Sequence, residues 1–187
     1  MDDKSYVANY NYALSYLKLG QKETAIEALK RALSQVPENE KNEENAIYLS
    51  ILSALAFLVI ENRDFESVAR NVEEGLAVKK DHADLLFMKT LLLMNLSRFD
   101  EMLETIIHYL LALEEKGTEK FNYGYAHEGA VKEIYNNLLP MAYKCAFEHA
   151  QIREIVHKLY KSAGSEGLKR AYDLMVEIDR TRIEKEN

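Results

Sequence analysis

A short motif recurs in this sequence at a spacing that restricts the fold more than any other feature. Arg63-Asp64-Phe65-Glu66 reappears as Arg98-Phe99-Asp100-Glu101, and Phe65 and Phe99 lie 34 residues apart. A fixed period of this length is typical of proteins in which each repeat is one supersecondary unit. Because one unit cannot bury its apolar face alone, neighbouring units must stack and share a continuous core. The sequence therefore predicts a solenoid.

Composition indicates that the repeated unit is helical. Two prolines and seven glycines in 187 residues leave few breaks for the turns of an all-β fold. An apolar content of 48% with 29% charged residues is that of a globular protein with a buried core. The run from Ala46 to Ile60 carries no charge, but it is shorter than the roughly 20 residues that span a bilayer. We predict that it forms a buried helix and that the chain has no membrane partner.

Residue size follows a common pattern after each predicted turn. The positions compared lie 5, 9, 12 and 17 residues after each turn residue. After Gly20 they hold Ala25, Leu29, Ala32 and Pro37. After Arg63 they hold Val68, Val72, Gly75 and Lys80, and after Ser97 they hold Met102, Ile106, Tyr109 and Glu114. The small residues are Ala25, Ala32 and Gly75, with Ala13 and Ala56 ahead of the turns. This pattern resembles the tetratricopeptide repeat (TPR), with units at about 6–39, 49–82 and 83–116. The proline is lost after the first unit, and Tyr109 replaces a small residue in the third.

The TPR resemblance implies an all-α fold, a right-handed TPR-like α-solenoid of antiparallel helix pairs in which residues 1–187 form a single domain. Residues 40–48 are an insertion whose acidic first part suits a polar loop leading into a lengthened first helix, and we expect this insertion to project from the surface. Residues 114–129 are predicted to form a long loop before a degenerate helical hairpin at 130–162, whose first helix is kinked by Pro140. Ser165 is predicted to cap a last helix, 166–184, which closes the array with a stripe from Leu168 to Ile178.

The resemblance also implies a function, since TPR proteins usually hold peptides on the concave surface formed by the first helix of each pair. The predicted peptide-binding residues on that surface are Tyr10, Asn11, Leu14, Ser53, Ala54, Phe57, Phe87, Met88 and Leu91. None is charged, which suits an apolar peptide or an amphipathic helix, with Phe57 and Phe87 as anchors. In the alternative, the C-terminal hairpin folds back into the groove and the same residues are core.

Charge and cysteine content restrict the classes of partner. A net charge of −7, with 24 Lys and Arg residues scattered among 31 acids, opposes nucleic-acid binding. Cys145 is the single cysteine, so no internal disulfide is available, and the acidic N-terminus lacks the basic start of a secretory signal. We expect a cytoplasmic protein that binds a protein or peptide, uses no cofactor or metal and is not an enzyme. Partner identity and oligomeric state remain open.

Cys145 and His149 are the strongest candidates for a metal-binding or catalytic pair. Four positions apart on a predicted helix, they have the spacing of two metal ligands, but His157 lies about 12 Å further along the axis. A nucleophilic cysteine would also need an oxyanion hole, which no motif supplies. We therefore interpret Cys145 as a buried structural residue, and a helical enzyme using this pair is the least favoured function.

One further segment is aromatic. Phe121, Tyr123, Tyr125 and His127 alternate with smaller residues in the predicted loop. These side chains either form a contact surface or fold over the irregularity at Tyr109.

Two narrower resemblances bear on the partner. DHADLLFMK at 81–89 and SRFDE at 97–101 are similar to the TPR segment that follows some bacterial family 2 glycosyltransferase domains, as are residues 129–131 and 135–138. The sequence contains no Asp-x-Asp metal motif, so that likeness implies an accessory subunit rather than the enzyme.

TPR proteins that bind chaperone C-termini use a Lys, Asn and Arg clamp, and here Tyr10, Leu14, Ala54, Asp84 and Met88 stand at those positions. The resemblance thus argues against that partner. A small acidic cytoplasmic chaperone for a secretion substrate is a further alternative, which fits the size and charge of the chain.

Overall fold

The computed structural model describes residues 5–116 and 128–186, and all regular secondary structure in these ranges is helical. The α-helices are α1 Tyr6–Lys18, α2 Lys22–Gln35, α3 Ala46–Ile60, α4 Phe65–Val78, α5 Ala83–Asn95, α6 Phe99–Lys116, α7 Glu128–Glu133, α8 Leu139–Cys145, α9 His149–Ala163 and α10 Glu166–Glu186. No strand occurs in the described ranges, so the all-α prediction is confirmed. The chain comprises two compact units, residues 1–88 and 89–187.

The same backbone turn ends α1, α3 and α5. Gly20, Arg63 and Ser97 all have positive φ angles, of 72°, 58° and 56° respectively. In each turn this residue donates its N–H to the carbonyl three positions earlier, and the next residue donates to the carbonyl five positions earlier. That pair of hydrogen bonds is the Schellman motif, which satisfies carbonyls left over at a helix end. The three turns from which the repeat was counted are therefore structurally equivalent.

Unit 1 contains two helix pairs, α1 with α2 and α3 with α4, and α2 also packs against α3. Helix α3 is the uncharged run, and ten of its fifteen residues are buried, as predicted. It is apolar on nearly all sides, which is typical of a helix at the centre of a core. The predicted small residues Ala13, Ala25, Ala32 and Ala56 are all fully buried, and so is Gly75. Small side chains at these points permit close helix packing.

The insertion between the pairs is attached to the unit at both ends. The Tyr6 hydroxyl donates to Glu40 Oε2 at 2.6 Å, and Asn45 Nδ2 donates to the Glu40 carbonyl at 3.0 Å. Asn45 also caps α3 by accepting a hydrogen bond from the Tyr48 N–H. Residues 42–44 are exposed, whereas Glu40 and Asn45 are half-buried. The predicted loop does lead into a lengthened first helix, since α3 begins at Ala46, but its exposed middle rather than the whole insertion projects, because these bonds hold its ends to α1 and α3.

Unit 2 includes a π-helical turn, Ile134–Leu138, which separates α7 from α8. Pro140 lies in the first turn of α8. Because a proline has no N–H and its ring displaces the carbonyl four residues earlier, the preceding turn cannot keep regular α-helical bonds. A π-helical turn thus precedes Pro140, where the sequence predicted a kink.

Helix α10 packs against α9, α8 and α6. Leu168, Ala171 and Met175 are fully buried along the predicted stripe. The Ser165 hydroxyl accepts a hydrogen bond from the Leu168 N–H at 2.9 Å, which confirms the predicted N-cap. On the same side, the Tyr172 ring stacks on His157 of α9 with centroids 4.7 Å apart. The first half of this amphipathic helix thus contributes core contacts.

Candidate functional site: the first helices of unit 1

The predicted lining residues of unit 1 lie on α1 and α3, the first helices of the two pairs, which contact each other directly. Asn11 is exposed, and Leu14 retains 37% of its accessible surface. Tyr10 of α1 and Ala54 and Phe57 of α3 are partly buried and pack on the core of the unit while keeping an open side. We call these five residues the α1/α3 surface. They are accessible to a partner.

The remaining predicted residues are not equally accessible. Ser53, Phe87 and Met88 are 3%, 7% and 0% exposed, so a partner cannot contact their side chains in this conformation. The expectation that Phe87 is an anchor and that Met88 lines the binding surface needs correction. All six residues from Ala83 to Met88 are buried, because this part of α5 has no solvated face. Leu91 is half-buried and belongs to unit 2.

The chemistry of the α1/α3 surface is apolar and uncharged. Its members offer one aliphatic side chain, two aromatic rings, an alanine methyl and an amide. Tyr12 of α1 is also 39% exposed, which extends the apolar character of this helix. Exposed apolar side chains that adjoin one another are a common property of protein interfaces. Such a surface can desolvate against an apolar partner.

The candidate pair Cys145 and His149 does not share a helix face. Helix α8 ends at Cys145 and α9 begins at His149, so the four-residue spacing crosses a turn. The His149 ring lies edge-on to Tyr143, and its Nδ1 is 3.0 Å from the Ala146 carbonyl oxygen. Cys145 is exposed, and the prediction that it is buried was therefore wrong. The reason is that the last turn of α8 points this position away from the core.

The remaining features concern the aromatic segment, metal binding and the membrane. The aromatic segment with Phe121, Tyr123, Tyr125 and His127 lies outside the described residues. Among residues 5–116 and 128–186, no three His, Cys, Asp or Glu side chains are grouped in a way that could hold a metal ion. No helix in these ranges is long and apolar enough to cross a membrane.

The crystal structure of MamA, a TPR-containing protein, is similar to this fold. The TM-score is 0.52, the similarity covers 98% of this chain and 83% of the MamA chain, and 11% of the aligned residues are identical. The chain has an all-helical, TPR-like fold. At this identity the likeness concerns the fold alone. No protein-family model matches the sequence, and no curated protein has a significantly similar sequence.

Proposed function

We propose that this protein is an interaction module whose α1/α3 surface binds the apolar side of a peptide or amphipathic helix of a partner protein. The observation that carries the proposal is the accessible, uncharged set Tyr10, Asn11, Leu14, Ala54 and Phe57 on adjacent first helices. An amphipathic helix presents apolar anchors at intervals of three or four residues, and such anchors can cover this surface. The proposed role is binding rather than catalysis.

The proposal includes the finer architecture expected from the repeat. We propose that residues 1–187 act as a single TPR-like domain, with right-handed stacking of the two pairs in unit 1 and α10 as the cap of unit 2. The three equivalent turns and the buried small residues support it. The single cysteine, Cys145, supports the further proposal of a cytoplasmic location.

Selection from a display library of amphipathic helical peptides tests the proposed surface. The purified chain should select peptides with apolar residues at i, i+3, i+4 and i+7. In Leu14→Asp a charge replaces an apolar contact, so affinity for a selected peptide should fall about 30-fold, equivalent to the loss of about 2 kcal/mol. Calorimetric titration measures this change.

Leu19→Asp is the matched control because Leu19 is 70% exposed but lies in the turn after α1, outside the surface. Its affinity should stay within about twofold of the wild-type value. Equal weakening by the two variants, or selection of peptides without apolar periodicity, would reject the α1/α3 surface as the binding site.

A further inference from the structure

A cleft of about 460 Å³ lies between α2, α3 and α4 of unit 1. Its apolar part is formed by Leu33, Leu55 and Val59, and its polar part by side chains of α2, α4 and the insertion. This volume falls in the range of sites that hold small ligands or short peptide segments. The lining contains no member of the α1/α3 surface, so the cleft is a separate feature.

Asn71 is the buried polar residue of this cleft. It is 8% exposed and lines the cavity, yet no side-chain hydrogen bond joins its amide to any described residue. The amide nitrogen and oxygen are open to the cleft, so both groups are available to a ligand that enters it. An amide carries one acceptor and two donors, which match the N–H and C=O groups of a peptide backbone. Asn71 therefore points to a ligand with amide character.

Two cations stand at the cleft without an ion-pair partner among the described residues. Lys30 is exposed on α2, and Arg70 on α4 donates a single hydrogen bond, to the Ser67 hydroxyl at 3.1 Å. The third cation, Lys41, is already paired with Glu38 at 2.8 Å. Lys30 and Arg70 can thus receive a carboxylate without losing an internal ion pair.

The nearby carboxylates are occupied by structural bonds. Glu74 of the cleft accepts a hydrogen bond from the buried Tyr48 hydroxyl at 2.7 Å. Asp64 caps α4 by accepting a hydrogen bond from the Ser67 N–H at 3.1 Å. The hydrogen bonds from Ser67 are the main cause that lowers the pKa of the Asp64 carboxyl, and the charges of Lys30 and Arg70 lower this pKa further. The carboxylates of Glu74 and Asp64 reduce the positive potential of the cleft, but neither forms an ion pair with Lys30 or Arg70.

We propose that this cleft binds a short peptide segment in which an acidic side chain lies next to an apolar one. Lys30 and Arg70 receive the carboxylate, Asn71 pairs with the peptide backbone, and the apolar side chain packs on Leu55 and Val59. The carboxylate contacts come from α2 and α4, the backbone contact from α4 and the apolar contact from α3, and this combination gives the site its specificity. A peptide lacking the carboxylate or the apolar neighbour should bind more weakly.

The test uses the isotopically labelled full chain and capped peptides as probes. Acetyl-Ala-Leu-Glu-Leu-Ala-amide should shift the side-chain amide resonances of Asn71 in a saturable way. Replacing its Glu by Gln should weaken binding by at least about fivefold, because the contacts to Lys30 and Arg70 lose their charge. Raising the salt concentration should weaken only the Glu peptide. This comparison requires no variant of the protein.

Variants assign the contacts. Lys30→Gln with Arg70→Gln should remove the preference for Glu over Gln, whereas Arg31→Gln, an exposed neighbour outside the cleft, should retain it. Asn71→Leu should abolish binding without lowering the melting temperature, since it removes the amide that pairs with the peptide backbone and makes no change to an internal hydrogen bond. Leu14→Asp should leave this binding unchanged, so failure of the α1/α3 surface and failure of the cleft are distinguishable.

The proposal is overturned if no peptide gives a saturable shift of Asn71, or if the Gln peptide binds as tightly as the Glu peptide. Equal loss of Glu preference in Arg31→Gln and in the paired variant would also overturn it. N-acetylglutamate serves as the small-molecule arm. If it binds as tightly as the peptide, the cleft takes free carboxylates and the peptide assignment is wrong.

Discussion

Adding a methyl group at Gly75 tests how closely the helices of unit 1 approach each other. A Cβ at this position would overlap Leu85 Cδ1 and would lie 3.4 Å from Leu52 Cδ1. Leu52 and Leu85 are both fully buried, so neither side chain can move into solvent. Overpacking of this kind costs about 1 to 3 kcal/mol. Replacing glycine by alanine within a helix contributes about 1 kcal/mol in the opposite direction.

We therefore expect Gly75→Ala to lower the free energy of unfolding by about 1 kcal/mol, or the melting temperature by about 2 to 4 °C. Urea unfolding followed by circular dichroism measures the first quantity, and calorimetry the second. Ala77→Gly, at an exposed position of the same helix, calibrates the propensity effect, because it changes helix propensity without changing the core. It should lower stability by about 1 kcal/mol.

A double-mutant cycle isolates the steric effect. In a Leu85→Ala background the overlapping methyl groups are absent, so Gly75→Ala should stabilise by about 1 kcal/mol through helix propensity. The coupling between the two sites should therefore be about 1 to 3 kcal/mol. If Gly75→Ala stabilises the wild-type chain as much as it stabilises Leu85→Ala, the close approach at this site is refuted.

The remaining predictions concern the turns, a helix cap and the last helix. Arg63→Gly should stabilise by up to about 1 kcal/mol because it removes left-handed strain, and Gly20→Ala should destabilise by a similar amount; opposite signs in urea unfolding would refute the shared turn. The Ser67 hydrogen bonds lower the pKa of Asp64, so its stabilising effect is present above the unfolded pKa and is lost as pH falls through the folded pKa. Unfolding measured across a pH series should show this loss of stability in the wild type. Asp64→Asn keeps a cap that does not titrate, so the difference in stability between the wild type and this variant should shrink at low pH. A difference that does not depend on pH would contradict the assignment. Deleting the chain from Leu168 onward should expose the apolar side beneath α10 and cause aggregation, measured by light scattering. A truncated chain that stays monomeric and equally stable would show that α10 is not needed for the core of unit 2.

The sequence predicted the features that depend on local spacing. The turns at Gly20, Arg63 and Ser97 were found by counting, because a Schellman turn and the small residues around it occupy fixed positions in each repeat. The stripe of α10 was predicted for the same reason, since its apolar residues recur with the helical period. Local periodicity in the sequence is sufficient to predict these turns and this helix face.

Features that depend on tertiary surroundings were predicted less well. The repeat pattern predicted that Phe87 and Met88 lie on an open surface, but both are buried. A repeat pattern contains no information about which residues pack over the first half of α5. Cys145 and His149 appeared to share a face until the turn between α8 and α9 separated them.

Asn71 illustrates a signal that the sequence contained but that no motif identified. It lies on the buried side of α4, beside Val68, Val72 and Gly75, where a polar side chain is unexpected. Only the structure shows that its amide lines a cleft.

Photo-crosslinking from the α1/α3 surface tests the central claim most directly. Benzoylphenylalanine would replace Leu14 in one variant and Leu19 in another, and crosslinks formed in cells would be mapped by mass spectrometry. The account predicts that position 14 crosslinks to one segment of a partner whose apolar residues recur with helical spacing, and that position 19 does not. Crosslinking of that segment from position 19 alone, or equally from both positions, would contradict it.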